Sequence, residues 1–115
     1  MGKSNGLRAL ELAQLIVQEI LEAIESFPAK DPAGLGHQLA KTANAVAANL
    51  AEGYGRSTPN ERRNKLRISR GELAETQNHL KASGRSKYMP LKKFYRIWNL
   101  TQVLDRMLAK LMRKD

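Results

Sequence analysis

The stretch Ala45-Val46-Ala47-Ala48-Asn49-Leu50-Ala51-Glu52-Gly53-Tyr54-Gly55-Arg56-Ser57-Thr58-Pro59-Asn60-Glu61 closes one helix and opens the next. Alanine is the best helix former, and its small side chain lets a neighbouring helix come close. Gly53 and Gly55 then fit a helix C-cap. The break runs from Gly53 to Ser57. Thr58 can cap the next helix, Pro59 suits its first turn, and Glu61 can return the bond as a capping box.

Upstream, the helix reaches back to about residue 34, with Leu35, Leu39, Ala43, Val46 and Leu50 as its apolar stripe. Phe27-Pro28-Ala29-Lys30-Asp31-Pro32 ends the helix before it, because proline lacks a backbone donor and biases its predecessor away from helical angles. Asp31 can cap the second helix, with Pro32 at its first position. The first helix covers about residues 7–26. Leu10, Ala13, Val17, Ile20, Ile24 and Phe27 recur at helical steps, and Glu11, Gln14, Gln18, Glu22 and Glu25 make the wet face. Leu12, Leu15, Ile16 and Leu21 widen the apolar arc beyond one seam, which predicts a further contact such as another subunit.

Downstream, the third helix covers residues 59–83. Leu66, Leu73 and Leu80 lie on a seven-residue spacing, in a seam that Ser69, Thr76 and Gln77 make polar. Gly71 is costly inside a helix, so the sequence predicts a close helix contact there. Ser83-Gly84-Arg85-Ser86-Lys87 forms the third break. The fourth helix covers about residues 90–113, with Leu91, Phe94, Tyr95, Trp98, Leu104, Leu108 and Leu111 apolar and a basic stripe opposite. Nothing alternates like a strand. The expectation is all-α: one domain over residues 1–115, an antiparallel up-down-up-down four-helix bundle.

The composition narrows the function. The chain has 115 residues and a net charge of +9, and 42% of it is hydrophobic. It contains no cysteine, which removes disulfides, thiolate metal sites and cysteine nucleophiles. No apolar run is long enough to span a membrane, and the start of the chain lacks a signal-peptide core, so a cytoplasmic location is expected. Residues 1–30 carry three basic and four acidic side chains, and residues 31–58 two of each. Residues 59–89 carry eight and three, and residues 90–115 seven and two. All the excess positive charge therefore lies on the last two helices, a balance that points to nucleic acid or another anionic partner.

Phe27-Pro28, then Gly34-Leu35-Gly36-His37-Gln38-Leu39, and above all Asn49-Leu50-Ala51-Glu52-Gly53-Tyr54-Gly55-Arg56 resemble a known family. These are the four-helix bundle proteins encoded by intervening sequences of bacterial 23S ribosomal RNA genes. Leu66-Arg67-Ile68-Ser69-Arg70-Gly71-Glu72-Leu73-Ala74-Glu75 is similar to that family's third helix, and the likeness covers about residues 7–112. It implies a ring-like homopentamer. It also implies distant kinship with accessory proteins of diversity-generating retroelements, which bind nucleic acid and a reverse transcriptase. The chain departs from the pattern at Leu10, where a tryptophan is usual, and at Ala40-Lys41, where Arg-Arg is common. Glu61-Arg62-Arg63-Asn64-Lys65 also stands where the family is commonly apolar.

The candidate nucleic-acid-binding residues are Arg62, Arg63, Lys65, Arg67, Arg70, Lys92, Lys93, Arg96, Arg106 and Lys110. Arg63, Arg67 and Arg70 share one side of a helix. The competing reading is a solvated surface, partly paired with Glu11, Glu22 and Glu25 of another subunit. Asn49, Glu52, Gly53, Tyr54, Gly55 and Arg56 form a structural motif, in which Glu52 is expected to pair with Arg67 or Arg70 and fix register. His37 and His79 are the only histidines and have no metal-ligand spacing, and Phe94, Tyr95 and Trp98 read as core and interface. No cofactor is expected and an enzyme reading finds no support. The functional expectation is a non-catalytic oligomeric bundle that binds RNA, or DNA second, through backbone phosphates. The alternatives are an adaptor for an acidic protein such as a reverse transcriptase or polymerase, and a structural product with no ligand.

Overall fold

A computed structural model describes residues 4–56 and 58–114, except the side chain of Lys114. Met1 to Lys3, Ser57 and Asp115 lie outside the described residues, and with them the very start of the chain and one residue of the second break. Four helices run in order along the described chain: α1 (Asn5–Ile24), α2 (Leu35–Tyr54), α3 (Pro59–Arg85) and α4 (Leu91–Lys114).

The termini have local causes. Ser4 Oγ accepts the Leu7 N–H at 3.1 Å, so α1 starts two residues earlier than its apolar periodicity indicates. It ends early as well: three bonds of tighter pitch, Glu25 to Glu22, Ser26 to Ala23 and Phe27 to Ile24, close its last turn. Asp31 does cap α2, but from a distance. Its Oδ2 accepts the Gly36 N–H at 3.0 Å, while Gly34 takes the left-handed N-cap position at φ 63°, leaving Pro32 outside the helix. Thr58 Oγ1 accepts the Glu61 N–H at 3.2 Å and Pro59 occupies the first turn, as the tetrapeptide predicts, but the Glu61 side chain does not return the bond, so only half of the expected capping box forms.

The expected break at Ser83-Gly84 is helix. Gly84 is a packing residue, since a Cβ there would come within 3.1 Å of the Phe94 ring. The helix stops at Ser86, where the Tyr88 N–H reaches the Ser83 carbonyl at 3.0 Å and the Lys87 N–H reaches Gly84 at 3.1 Å. These two bonds make a Schellman motif, with Lys87 in its left-handed position at φ 60°.

Each helix packs against its two neighbours around the bundle, and α1 pairs with α4 as it does with α2. All four pairings are antiparallel. Gly6 meets Tyr54 and Gly36 meets Ile24 across α1 and α2, and Gly53 meets Lys65 across α2 and α3. Gln77 bonds Thr101 and Arg70 bonds Asp105 across α3 and α4, while Glu19 bonds Arg96 across α1 and α4. The result is an up-down-up-down bundle 45 × 25 × 18 Å in extent.

The core is mainly aliphatic on α1, α2 and α4, where Glu19, Thr42 and Thr101 are the buried polar residues among those described, and half polar on α3. Ala9, Ala13, Ile16 and Ile20 meet Leu39, Ala43, Val46 and Leu50, with Ile97, Leu104 and Leu108 from α4. From α3 come Leu73 and Leu80, alternating with the fully buried hydroxyls of Ser69, Thr76 and Ser83. Each hydroxyl is satisfied: Ser69 by the Val46 carbonyl at 3.1 Å, Thr76 by Thr42 at 2.8 Å, and Ser83 by the His79 carbonyl at 2.9 Å. The Ser69 and Thr76 bonds reach across to α2 and tie the two helices together.

Two packing expectations are corrected. Gly71 is exposed and nothing lies within 4 Å of a Cβ built there. The close approaches are at Gly53 and Gly84 instead. On α4, Leu91 and Tyr95 are 66% and 53% exposed, and the buried stripe runs through Ile97, Thr101, Leu104 and Leu108. Aromatic rings at the flank keep one edge in water at little cost, whereas Ile97 has no polar end to spare.

Candidate nucleic-acid interface

The basic residues of α3 and α4 do not form one uninterrupted cationic face. Lys65, Arg70, Lys93 and Arg96 are neutralised within the chain. Lys65 Nζ lies 2.6 Å from Glu52 Oε2, so the motif glutamate pairs with a lysine near the start of α3, not with Arg67 or Arg70. The near approach at Gly53 explains that choice, because a Cβ on Gly53 would stand 2.9 Å from Lys65 Cβ. The Lys65 hydrogen bond also holds the Glu52 carboxyl below its usual range. Arg70 makes a two-pronged bond to Asp105, Nε to Oδ1 at 2.8 Å and Nη2 to Oδ2 at 3.3 Å. That bond raises the arginine's pKa further.

Lys93 and Arg96 converge on Glu19, each at 2.8 Å, and Lys93 also reaches Glu22 at 3.4 Å. Glu19 is buried on the α4 side of α1, and its carboxyl is held below the usual range, first by the Arg96 hydrogen bond and then by that of Lys93. The wet-face reading anticipated glutamates of α1 as partners in another subunit. The partners lie in the same chain, and the principal one, Glu19, belongs to the buried side.

Arg63, Arg67, Lys92, Arg106 and Lys110 meet no carboxylate among the described residues. Arg63 and Arg67 bond neutral amides, Asn60 at 3.1 Å and Asn64 at 3.4 Å. Lys92, Arg106 and Lys110 are exposed. Arg62 Nη1 donates to the Arg56 carbonyl at 3.2 Å. With Tyr95, Asn99, Gln102 and Arg113, the three cations of α4 occupy its outward side, all of them exposed. Asp105 is the single acidic residue between Pro90 and Lys114, and Arg70 holds it. Arg113 belongs to this strip by the same helical spacing, as part of the basic stripe the sequence places on this helix.

The motif residues gather at one end of the bundle. Asn49 donates Nδ2 to the Ala45 carbonyl at 2.9 Å, and Tyr54 Oη lies 3.3 Å from Ser4 Oγ. Gly53 lies inside α2 and is required by packing, not by capping. Gly55 sits at the C-cap with an ordinary right-handed φ of −88°. His37 is exposed and His79 half-buried. Phe94 and Trp98 stack at 6.0 Å with an interplanar angle of 13°, and Lys81 lies 5.3 Å from the Trp98 ring.

Fold and surface together define a small antiparallel four-helix bundle carrying one cationic helix face. The model of the 23S rRNA-intervening sequence protein family matches residues 5–110, and the chain belongs to that family. Among solved structures it is similar to a protein of the S23 ribosomal protein family from Bacteroides thetaiotaomicron, described as of unknown function. The TM-score is 0.86 at 16% identity, over 96% of this chain and 99% of that one, a likeness of fold. None of the curated proteins matches the sequence. Neither description names a reaction. Among the described residues, no helix is long and apolar enough to cross a membrane.

Proposed function

We propose that the protein is a non-catalytic, oligomeric nucleic-acid-binding bundle that docks the outward side of α4 against a phosphate backbone. The supporting observation is the row Lys92, Arg106 and Lys110, exposed and unneutralised among the described residues, along a helix whose one carboxylate is already held by Arg70. Eighteen residues of helix span about 27 Å, enough to follow several phosphates. Lysine and arginine on phosphates release condensed counterions, so binding is salt-dependent and tolerant of sequence. Arg63 and Arg67 extend the field from α3.

The family's name ties its members to ribosomal RNA genes, which sets RNA before DNA. Leu15 and Leu21 remain 37% and 45% exposed on α1, and this apolar surface supports self-association, with a pentamer as the family resemblance implies. Repeated around a ring, weak phosphate sites add by avidity. The absence of cysteine from the sequence fits a cytoplasmic location.

Titration with single-stranded and duplex RNA and DNA, at low and raised salt, tests the proposal. Association at low salt that weakens steeply as salt rises is expected. No association at low salt ends it, and binding seen only with a protein partner present replaces it with the adaptor reading.

A further inference from the structure

Between Glu75 and Asp105 the chain carries six lysines and arginines and no acidic residue. Two of the six, Lys93 and Arg96, are held by Glu19. Lys81, Arg85, Lys87 and Lys92 are exposed and meet no carboxylate among the described residues. A groove of about 270 Å³ opens between α3 and α4, lined by Lys81, Gly84, Arg85, Leu91 and Phe94. We infer that this face takes the unpaired bases of a single nucleic-acid strand, one of them stacked on Tyr95, while Lys81, Arg85 and Lys92 hold the flanking phosphates. Such stacking presupposes the phosphate docking at α4 and narrows the ligand to a single strand.

Exposure marks out the platform. Leu91 and Tyr95 are the most exposed large apolar side chains among the described residues, and they lie one turn apart on α4. Tyr95 meets Phe94 edge to face, with ring centroids 5.2 Å apart at 75°, and more than half of it stays open to water. The other rings are occupied. Phe94 stacks on Trp98 and seats against Gly84, and Lys81 lies over Trp98. Tyr95 is thus the open ring of a packed aromatic cluster. Braced by Phe94, it has little freedom to lose when a base lies on it.

Charge identifies the guest. Lys92 stands three residues before Tyr95 on the same side of α4, and Lys81 and Arg85 lie one turn apart on α3, across the groove. Asp105, the nearest acidic residue along α4, is held by Arg70, and Glu75 borders a separate hollow with Leu35 and Gln38 of α2. An aromatic ring bordered by unneutralised cations suits a strand that offers a π-face and a phosphate at every step. A duplex offers the phosphates but keeps its bases stacked on one another, which leaves Leu91 and Tyr95 without a partner. An acidic peptide would meet the cations and give the ring nothing to stack on.

The test compares an oligodeoxyadenylate, an abasic strand of the same length, the matching duplex and polyglutamate, titrated into the full chain at several salt concentrations. The oligodeoxyadenylate is expected to bind at least ~5-fold tighter than the abasic strand, which carries the same phosphates without bases. Tyr95→Ala should lower its affinity at least ~5-fold and leave that of the abasic strand and the duplex unchanged. The salt slope should stay as it is in Tyr95→Ala, because no phosphate contact is lost. Lys81→Gln and Arg85→Gln should each lower the slope by about 0.7.

Tyr95→Phe should bind as the natural chain does, since the ring and not the hydroxyl stacks. A loss as large as that of Tyr95→Ala overturns the inference. Equal affinity for the base-bearing and abasic strands, or an equal loss of both in Tyr95→Ala, also overturns it and leaves the α4 docking standing. Polyglutamate binding as tightly as the oligodeoxyadenylate replaces the strand with an acidic protein. Failure of every strand to bind at low salt removes the docking reading together with the stacking. Should Tyr95→Ala fold poorly, Tyr95→Phe and the abasic comparison carry the test.

Discussion

Lys87 occupies a backbone position that glycine occupies without strain. Its φ of 60° closes the Schellman turn after α3, where an L side chain costs about 1–2 kcal/mol. Lys87→Gly should therefore stabilise the fold by about 0.5–1 kcal/mol, read as a higher urea midpoint, after allowing for the freer unfolded chain. Glu19 is the opposite case, a charged residue the fold requires. Its folded pKa lies below the ordinary value of 4.5, so its contribution is fully present above that value and is lost as pH falls through the depressed folded one. Glu19→Gln should cost about 1–2 kcal/mol at neutral pH, less than a fully buried pair because both cations are partly exposed. It should also remove part of the acid-induced loss of stability below about pH 4.5, as urea midpoints across pH would show. Glu19 was not legible in the sequence: it falls between Ile16 and Ile20 in an arc that reads as apolar, and its partners lie more than seventy residues away.

Glycine inside a helix has two meanings that sequence does not separate. Gly71 is open on all sides, so Gly71→Ala should stabilise α3 by about 1 kcal/mol. Gly53 stands against Lys65, and Gly53→Ala should destabilise by about 1–3 kcal/mol, because α2 must move from α3. Thermal or denaturant unfolding of the pair decides the matter, and effects of the same sign would contradict the packing described. The same ambiguity made Gly84 read as a break, when it is the place where Phe94 seats. The α2 stripe and the Thr58 cap with Pro59 were legible, though not the missing Glu61 return bond, since caps and aliphatic periodicity depend on neighbours in sequence. The orientation of α4 was only half legible, because its aromatic residues satisfy both a buried and a flanking position.

At the scale of the molecule, the bundle arises from helix length and short connections, and both are local properties. The arrangement of charge is not local. Arg70 and Asp105, or Lys93 and Glu19, meet only once antiparallel packing sets the helices in register. The sequence thus showed where positive charge is concentrated without showing which cations are already satisfied. The exposed leucines of α1 predict self-association, and light scattering at micromolar concentration should give a mass above that of one chain. The phosphate-docking claim rests on Lys92, Arg106 and Lys110 being charges left over. Its most direct test is the dependence of single-stranded RNA affinity on salt, for the natural chain and for Lys92→Gln/Arg106→Gln/Lys110→Gln. Each lost phosphate contact should reduce the slope of log K against log salt by about 0.7, so the triple variant should lose about 2 in slope. An unchanged slope and affinity, or no RNA binding by the natural chain at low salt, would contradict the account.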